Sequence, residues 1–309
     1  MTDGGGSPLV SVVVPTYYRN DRLVEAVESA LGQSYQPVET IVVDDSGEGH
    51  ARPAVAPFDD VRYVELGSNR GSNGARTAGA RRARGEFVHF LDDDDVLYES
   101  KVEKQMAVMR DSPDLGVVYT GLDKTGQQSD LPDPGVRGDV LDDALAFELW
   151  PCMNTTMLIR AAVLEELLPL TDTAGAADLE MMIRLARRTR FEFVREPLAF
   201  KRIDMSSLGS SMTAVEGRKA IIERYVDLYA TRPDRVRRRA LANTYETEGA
   251  LRLRTDGWSP RAVTAMLRHL YYEPDDRLKS VAKVVAACFG KPGWTALDRL
   301  GRPFRASRG

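Results

Sequence analysis

The chain has little of three things that often decide the class of a protein: cysteine, net charge and long apolar runs. Its 309 residues include two cysteines, Cys152 and Cys288, which lie far apart and lack the spacing of metal ligands. This content does not predict a disulfide framework and is typical of the reducing cytoplasm. The net charge of −4 argues against a general nucleic-acid-binding protein, so no nucleic-acid partner is expected.

Long apolar runs are absent as well. No stretch approaches the ~18 consecutive apolar residues that a membrane-spanning helix requires. The glycine-rich segment 1–8 has no apolar core of the kind found in signal peptides, and we expect it to be disordered. The sequence therefore predicts a cytoplasmic protein that is soluble or binds peripherally at the inner face of the membrane.

Two common nucleotide-binding motifs are also missing. No GxGxxG follows the first predicted strand, and the chain has no GxxxxGK[ST] phosphate loop. A nucleotide would therefore not be held as it is in dehydrogenases or in P-loop enzymes.

The first two thirds of the chain alternate between short apolar runs typical of buried strands and amphipathic segments typical of helices. This alternation predicts a mostly parallel sheet with helices on its faces. We predict strands over 9–14, 38–43, 61–66, 87–91, 116–120, 155–159, 191–194 and 198–203, and helices over 20–31, 75–84, 100–110, 139–149, 161–168 and 176–188. Pro15 to Arg19 is expected as a loop, and a helical region is expected from residue 213 onward.

Hydroxyl and acidic side chains follow three of the predicted strands. Thr16 and Tyr17 follow the first strand, Asp44 and Asp45 the second, and Asp92 to Asp95 the fourth. In sheets of this kind, ligands bind outside the carboxyl ends of the strands. We therefore expect these side chains to converge on one crevice.

The four consecutive carboxylates of Asp92 to Asp95 need a neutralising cation. Two carboxylates ~5 Å apart repel by about 3 kcal/mol at an effective dielectric constant of about 20. Carboxylate oxygens are hard ligands that suit Mg²⁺ or Mn²⁺, and Mg²⁺ held in this way usually binds substrate phosphates as well. If the chain stays extended, Asp92 and Asp94 share one face and Asp93 takes the other. A solvated acidic loop that caps the following helix is the alternative.

The ordered set of motifs resembles that of the family 2 glycosyltransferases, which have the GT-A fold. The resemblance covers roughly residues 9–205 and rests on segments 13–17 (VVPTY), 41–45 (IVVDD), 69–71 (NRG), 75–79 (ARTAG), 90–95 (FLDDDD), 178–180 (DLE) and 196–198 (EPL). It implies a GT-A (nucleotide-diphospho-sugar transferase) catalytic domain over residues 9–212, with a mostly parallel sheet sandwiched by helices. The C-terminal helical region, 213–309, lies outside the resemblance.

The resemblance implies a metal-dependent, inverting, hexosyltransferase-like enzyme that moves a sugar from a nucleotide-diphosphate donor to an acceptor hydroxyl. The donor would be linked to UDP, dTDP or GDP, and the cofactor would be Mn²⁺ or Mg²⁺. The acceptor would be a glycan, a lipid-linked molecule or a protein, in polysaccharide, glycolipid or protein-glycan assembly. A non-catalytic nucleotide-sugar-binding protein that acts through its helical tail is the alternative.

Carried onto this chain residue by residue, the resemblance implies a donor site at the crevice. Asp45 would accept a hydrogen bond from a ring N–H of uracil, thymine or guanine, and Asp93 would lie near the ribose. Asp94 would bind the metal, with Asp92 as a second candidate ligand. The other residues implied on the donor side are Pro15, Thr16 and Tyr17 along the base, and Asn69, Gly71, Arg76 and Asp92.

The general base implied by the family pattern is Asp178, with Glu180 as the second candidate. The family often has Glu-Asp here, whereas this chain has Ala177 before Asp178, so one acidic group is missing. A carboxylate in a first helical turn is also explained by the helix dipole, and both interpretations stay open. The family often has Arg-x-His where this chain has 202–204 (RID), so Asp204 is either a metal ligand or a turn residue.

Two further features stay open. Trp150, Asn154 and Thr155 fall where such enzymes line the acceptor pocket, and Trp150 is either a platform for a sugar ring or a buried aromatic. The basic tail is either a peripheral contact with anionic lipid or a solvated end. Its charged residues are Lys291, Asp298, Arg299, Arg302, Arg305 and Arg308.

Overall fold

The strand β1 (Val10–Thr16) is buried along its whole length. Valines occupy both of its faces, which is typical of a strand inside a parallel sheet. It pairs in parallel with β2 (Val38–Asp44) on one side and with β4 (Phe87–Phe90) on the other, and β2 pairs in parallel with β3 (Val61–Glu65). These four strands form the parallel half of the sheet.

The other half of the sheet mixes strand directions. β7 (Leu158–Arg160) runs antiparallel to β4 and to β6 (Leu115–Lys124), β8 (Arg190–Lys201) runs parallel to β6, and β5 (Val96–Leu97) runs antiparallel to β8. The computed structural model describes residues 6–110, 112–202 and 211–305, with side chains up to residue 297 in the last range. Within these residues the eight strands follow the order β3-β2-β1-β4-β7-β6-β8-β5.

Helices cover both faces of this sheet. On one face, α1 (Asn20–Leu31) buries its apolar stripe against Val12, Val14 and Val42. On the other face, α3 (Gly71–Ala80) approaches Val13 and Val43. The remaining helices that accompany the sheet are α2 (Arg52–Val55), α4 (Lys101–Arg110), α6 (Ala161–Glu165) and α7 (Ala177–Ala186).

The chain divides into two compact units. Unit 1 comprises Met1–Leu141, Leu149–Asp172 and Ala177–Asp204 and contains the sheet, and unit 2 comprises Asp142–Glu148, Thr173–Ala176 and Met205–Gly309. Unit 2 therefore includes two short segments from within the region 9–212. Residues 1–5 of the expected disordered N terminus lie outside the described residues.

Unit 2 is helical, as the sequence predicts. Its helices are α5 (Leu141–Ala146), α8 (Met212–Arg224), α9 (Val226–Ala230), α10 (Asp234–Asp256), α11 (Pro260–Tyr272), α12 (Arg277–Cys288) and α13 (Gly290–Arg305). His269 joins three of them, because its Nδ1 lies 3.0 Å from the carbonyl of Ala242 and its Nε2 lies 3.0 Å from Ser280 Oγ. In the described part of the chain, none of the helices has the length and hydropathy of a membrane span.

The predicted loop at Pro15 and Thr16 is wrong, because β1 continues through both residues. The Val13 carbonyl accepts a hydrogen bond from Leu91 N on the β4 side. The backbone polar groups of successive strand residues point to alternate sides, so the backbone nitrogen of Pro15 points to the same side as the Val13 carbonyl. The pairing of β1 with β4 has already ended there, at Phe90. A proline there removes no hydrogen bond from the sheet.

Two short strands were predicted where β8 forms one strand of 12 residues. The predicted break contains Pro197, which cannot donate a backbone hydrogen bond. The structure tolerates it at a register shift, where Thr120 pairs with Val194 and the next residue, Gly121, pairs with Pro197. A bulge of this kind lets a strand continue past a proline.

The remaining differences concern short or charged elements. α2, β5 and α13 are not among the predicted elements, and α13 begins at Gly290, next to the first charged residue of the predicted basic tail. The helical region expected from residue 213 onward begins with two separate helices, α8 and α9. The other predicted elements are present with ends shifted by a few residues, as expected when a pattern must mark an exact boundary.

Gly79 allows α3 to lie directly on the sheet, which generates a stability prediction. An added Cβ would lie 2.3 Å from Val13 Cγ1 and 3.0 Å from Val43 Cγ2. Gly79→Ala is therefore expected to lower the free energy of unfolding by about 1–3 kcal/mol, whereas alanine in an unhindered helix raises it by up to ~1 kcal/mol. Urea unfolding measures the change.

Gly67→Ala is the control, because an added Cβ there meets nothing within 4 Å. If Gly79→Ala were as stable as the parent, the close approach of α3 to β1 would be contradicted.

Candidate active site

The ends of β1, β2 and β4 meet at one edge of the sheet, as the sequence predicts. Thr16 Oγ1 donates a hydrogen bond of 2.7 Å to Asp93 Oδ2. The backbone N–H of Asp45 donates to the Thr16 carbonyl at 3.0 Å. Thr16 therefore links the residues that follow β2 to those that follow β4.

The four aspartates lie on a turn and not on an extended strand. β4 ends at Phe90, and Asp95 N donates to the Asp92 carbonyl at 3.1 Å. Burial nevertheless alternates along the turn. The side chains of Asp92 and Asp94 are 22% and 14% exposed, whereas those of Asp93 and Asp95 are 7% and 0% exposed.

Arginines that follow β1 compensate the middle two carboxylates. Arg19 Nη1 lies 3.2 Å from Asp93 Oδ1 and 3.0 Å from Asp94 Oδ2. Arg22, in the first turn of α1, lies 3.7 Å from the same Asp94 oxygen. Burial nevertheless raises the pKa of Asp93 to about 6, against the opposing effects of Thr16 and Arg19.

The outer two carboxylates share Lys201, the last residue of β8. Its Nζ lies 3.2 Å from Asp95 Oδ2 and 3.8 Å from Asp92 Oδ2. The antiparallel pairing of β5 with the end of β8 explains this contact, since β5 begins directly after Asp95. Thr155 Oγ1 also donates to Asp95 at 2.6 Å.

Asp92 and Asp95 differ in protonation behaviour although they share a cation. Burial raises the pKa of Asp95 to about 7, despite the opposing charge of Lys201. For Asp92, burial acts in the same direction, but the charges of Arg76 and Lys201 outweigh it and leave the pKa below its ordinary value. Arg76 Nη2 lies 2.6 Å from Asp92 Oδ1, which is the geometry of a strong charge-assisted hydrogen bond.

Asp178 belongs to the same group of charges. It lies in the first turn of α7, and Asn154 Nδ2 donates to its Oδ1 at 2.6 Å. Burial raises the pKa of Asp178, and the charge of Arg76 opposes this effect. Among the described residues, buried Arg76 Nε and Asn154 Oδ1 have no hydrogen-bond partner. Because buried polar atoms are normally paired, this corner is suited to a polar ligand.

The other residues expected at the donor differ in how accessible they are. Pro15 is buried in β1, whereas the side chain of Tyr17 is 49% exposed. Asp45 Oδ1 accepts the backbone N–H of Arg70 at 2.7 Å, at the start of α3. Gly71 has a φ of +72° and donates its backbone N–H to Asn69 Oδ1 at 2.8 Å. Asp45 and the turn before α3 are therefore joined.

The three residues expected at the acceptor do not form one exposed wall. Asn154 and Thr155 are buried and hydrogen bonded to carboxylates. Trp150 is 51% exposed, and its Nε1 donates to Asp130 Oδ2 at 2.7 Å. Lys124 Nζ lies 5.3 Å from the centre of the Trp150 ring. One face of this ring therefore already contacts a cation.

The remaining expected residues are Glu180 and Asp204. Glu180 is buried in α7 with 3% of its surface exposed. Asp204 lies outside the described residues. In the part of the chain that the structure describes, no group of three or more His, Cys, Asp or Glu side chains is arranged to hold a metal ion.

Sequence reasoning missed the cations of this site. Arg19, Arg22 and Lys201 were not singled out, although each contacts one or more of the four aspartates. The signal that was available is charge: four adjacent carboxylates that are not fully solvated need several positive partners. Arginines directly after the first strand and a lysine at the end of the last strand are the basic residues that the topology brings to this edge.

Comparison with known families identifies the class of protein to which this geometry belongs. The model of glycosyl transferase family 2 matches residues 11–168, just over half of the chain. The chain therefore belongs to this family, and it is a glycosyltransferase.

Two curated relatives illustrate the similarity. An uncharacterized glycosyltransferase of Rickettsia prowazekii is 27% identical over 233 residues, which cover 72% of this chain and 71% of that protein. The putative teichuronic acid biosynthesis glycosyltransferase TuaG of Bacillus subtilis is 32% identical over 160 residues, which cover 50% of this chain and 63% of that protein.

Solved structures share the fold. S. aureus TarS 1–349 in complex with UDP-GlcNAc has a TM-score of 0.62 and 16% identity, covering 95% of this chain and 91% of that chain. The mannosyltransferase PcManGT from Pyrobaculum calidifontis, in complex with GDP-Man and Mn²⁺, has a TM-score of 0.59 and 18% identity, covering 95% of this chain and 84% of that chain. These likenesses confirm the predicted GT-A fold.

Because Lys201 contacts both Asp92 and Asp95, its removal generates a stability prediction. Lys201→Met is expected to lower the free energy of unfolding by about 3 kcal/mol, because Asp92 and Asp95 lose a cation inside the protein. Adding Asp95→Asn is expected to recover part of this loss, since the amide carries no charge. Urea unfolding of the parent, the two single variants and the double variant gives the coupling energy.

Lys104→Met is the matched control. Lys104 pairs with Glu196 at the surface, where both side chains are well exposed, so a change below ~1 kcal/mol is expected. A coupling energy of zero between Lys201 and Asp95 would contradict the assignment of this ion pair.

Proposed function

We propose that this glycosyltransferase is an inverting, hexosyltransferase-like enzyme that transfers a sugar from a nucleotide-diphosphate donor to an acceptor hydroxyl. The observation that carries the proposal is the single cluster in which Thr16, Asp92 to Asp95, Arg76 and Asp178 are linked by hydrogen bonds and charge. This cluster combines carboxylates suited to a cation with a separate, partly buried carboxylate, Asp178. Those are the two kinds of group that such a transfer needs.

The donor would lie along the joined ends of β1 and β2. In this proposal the exposed Tyr17 ring lies against the base, Asp45 accepts a ring N–H, and Asp93 lies near the ribose. Arg76 and Asp92 would lie on the sugar-diphosphate side, and Pro15, Asn69 and Gly71 would shape the backbone around the nucleotide. The complexes of TarS with UDP-GlcNAc and of PcManGT with GDP-Man support a nucleotide sugar as the donor class.

A divalent cation, Mn²⁺ or Mg²⁺, fits the donor set of this site. Asp92 and Asp94 are the two more exposed carboxylates of the turn, and such cations are commonly held by one or two carboxylates together with substrate phosphates. Asp94 would be the principal ligand and Asp92 the second. When bound, the cation supplies Lewis-acid stabilisation of the negative charge on the leaving diphosphate. The complex of PcManGT with Mn²⁺ supports this part of the proposal.

Asp178 would act as the general base. Its carboxylate would take the proton of the acceptor hydroxyl while the hydroxyl oxygen forms a bond to the anomeric carbon. The bond from that carbon to the diphosphate breaks on the opposite side, and its electron pair leaves with the diphosphate oxygen, which inverts the configuration. Burial, which raises the pKa of Asp178, makes the carboxylate a better proton acceptor. Glu180 is the second candidate, but its burial makes it less accessible.

The acceptor belongs to glycan assembly, and its identity is proposed only as a class. TuaG, which is named for teichuronic acid biosynthesis, supports a polysaccharide or a related glycan. Trp150 would contact the acceptor at its exposed edge. Asn154 and Thr155 would not contact the acceptor directly and would instead position Asp178 and Asp95 through their hydrogen bonds to these carboxylates.

Donor binding provides the first test. Thermal unfolding is measured with UDP, dTDP and GDP sugars, each with Mn²⁺, with Mg²⁺ and with chelator. A ligand at 100 times its dissociation constant adds about 2.7 kcal/mol to the free energy of unfolding, so one donor is expected to raise the melting temperature when metal is present. Asp94→Asn is expected to abolish the metal-dependent part of this rise.

Asp59→Asn is the control for donor binding, because Asp59 is an exposed loop carboxylate outside the cluster. If no nucleotide sugar stabilised the protein, the proposed donor site would be wrong. Donor binding without release of nucleoside diphosphate in the presence of any acceptor would favour the non-catalytic alternative.

The hydrogen bond from Asn154 to Asp178 generates a pH prediction. Asp178 must be deprotonated to act as base, so kcat/KM is expected to fall as the pH is lowered through its pKa. Asn154→Ala removes a donor that stabilises the charged carboxylate, so this acidic limb is expected to move to higher pH. Asp178→Asn is expected to lower kcat by about 10²–10⁴ and to remove the limb.

Thr189→Ala, a change in the turn between α7 and β8, serves as the control for the pH profile, because Thr189 donates to the Asp114 carbonyl and not to the cluster. If Asp178→Asn kept both the acidic limb and a kcat within tenfold of the parent, another group would be the base, and Glu180→Gln would be the next variant to measure.

A further inference from the structure

Helix α12 carries a continuous exposed row of apolar side chains. The row consists of Leu278, Val281, Val285 and Phe289, whose exposed fractions are 87%, 46%, 53% and 71%. Their spacing of three, four and four residues puts them on one side of α12, with Phe289 at the C-terminal cap of the helix. Four large apolar side chains left in water on one helix are unusual for a folded monomer and mark an interaction surface.

The opposite side of α12 is already packed, so the row cannot be a misplaced core face. Ser280 is 1% exposed and contacts His269 of α11, and Ala287 belongs to the core shared with Leu253 and Met266. The orientation of α12 within unit 2 is therefore fixed by its own packing. In the described part of the chain the row faces outward.

Aromatic and basic side chains surround this row. Trp258 is 56% exposed, and its Nε1 donates to the Cys288 carbonyl at 3.1 Å, next to Phe289. At about 3.6 residues per turn, Arg277 and Lys279 fall on opposite flanks of the row. Apolar residues with an aromatic end and basic flanks are typical of helices that lie in a membrane interface.

The charge of the surrounding segment is opposite to that of the rest of the chain. Residues 277–309 contain eight Lys and Arg and one Asp, a net charge of +7, whereas the whole chain has −4. Lys279 is paired with Asp276 and Lys283 with Glu246, so these two add little net attraction. Arg277, Lys291 and the arginines after residue 298 carry the excess.

We propose that the row on α12 docks unit 2 on an anionic lipid surface, with α12 lying in the plane of the interface. The row would enter the boundary between headgroups and acyl chains, and Arg277 and Lys291 would contact lipid phosphates. The charge complementarity favours an anionic membrane over a second copy of this chain, because docking of two copies through the row would bring two segments of the same positive charge together. This surface belongs to unit 2 and is independent of the proposed sugar transfer.

Vesicle sedimentation of the full chain tests this docking. Vesicles are made of phosphatidylcholine alone and of an equal mixture of phosphatidylcholine and phosphatidylglycerol, each at low and high salt. The parent chain is expected to bind the mixed vesicles, more weakly at high salt because of screening, and to bind phosphatidylcholine poorly. The double variant Val281→Glu/Val285→Glu is expected to reduce binding to the mixed vesicles by roughly tenfold or more, since it removes two apolar contacts and adds two repelled charges.

Val226→Glu is the matched control, because Val226 is a similarly exposed valine on α9. Circular dichroism and the melting temperature of each variant show whether it is folded, and donor binding by the same proteins is measured separately. Equal vesicle binding by the double variant and the control would overturn the proposal, as would no binding of the parent at low salt. A parent that is dimeric by light scattering and becomes monomeric in the double variant would instead assign the row to a second copy.

Discussion

The compensation of Asp92 to Asp95 is the constraint on which the rest of unit 1 depends. The cations that contact these carboxylates come from three separate parts of the chain: Arg19 and Arg22 after β1, Arg76 in α3, and Lys201 at the end of β8. None of these residues is adjacent to the cluster in sequence, and only folding brings them into contact with it. The cluster is therefore tolerable only when β1, α3 and β8 are all in place, so formation of the site and folding of the sheet are linked.

This arrangement divides four similar side chains into different roles. Asp95 is fully buried and held by Thr155 and Lys201, which makes it a support for the turn. Asp93 is held in place by the hydrogen bond that Thr16 donates to its Oδ2. Asp92 and Asp94 keep the greater exposure. The same residue type is thus fully buried at Asp95 and more exposed at Asp92, although the chain turns here instead of staying extended.

The sequence was sufficient for the fold because the strands that matter are strongly patterned. Valines on both faces of β1 and the alternation with amphipathic helices predict the parallel half of the sheet. The sequence also predicted that Thr16 and the aspartates after β4 would meet, since the carboxyl ends of parallel strands share an edge. It was insufficient where the outcome depends on contacts between distant residues. The continuation of β8 past Pro197 requires knowledge of its pairing with β6, and the contact of Lys201 with Asp95 requires that of β5 with β8.

The charges of the cluster also bear on how a donor would bind. When all are ionised, the five carboxylates of Asp92 to Asp95 and Asp178 face four cations, Arg19, Arg22, Arg76 and Lys201. The cluster is therefore close to balance before any ligand arrives, and a diphosphate would add uncompensated negative charge. Binding of a diphosphate would thus either draw Arg19 and Arg22 away from Asp94 or bring a divalent cation with it. In both cases Asp94 would change its partner. Its carboxylate is more exposed than those of Asp93 and Asp95, and its described ion pairs are with Arg19 and Arg22. We therefore propose Asp94 as the metal ligand, because Arg19 and Arg22, its present partners, are the groups for which a bound diphosphate would compete.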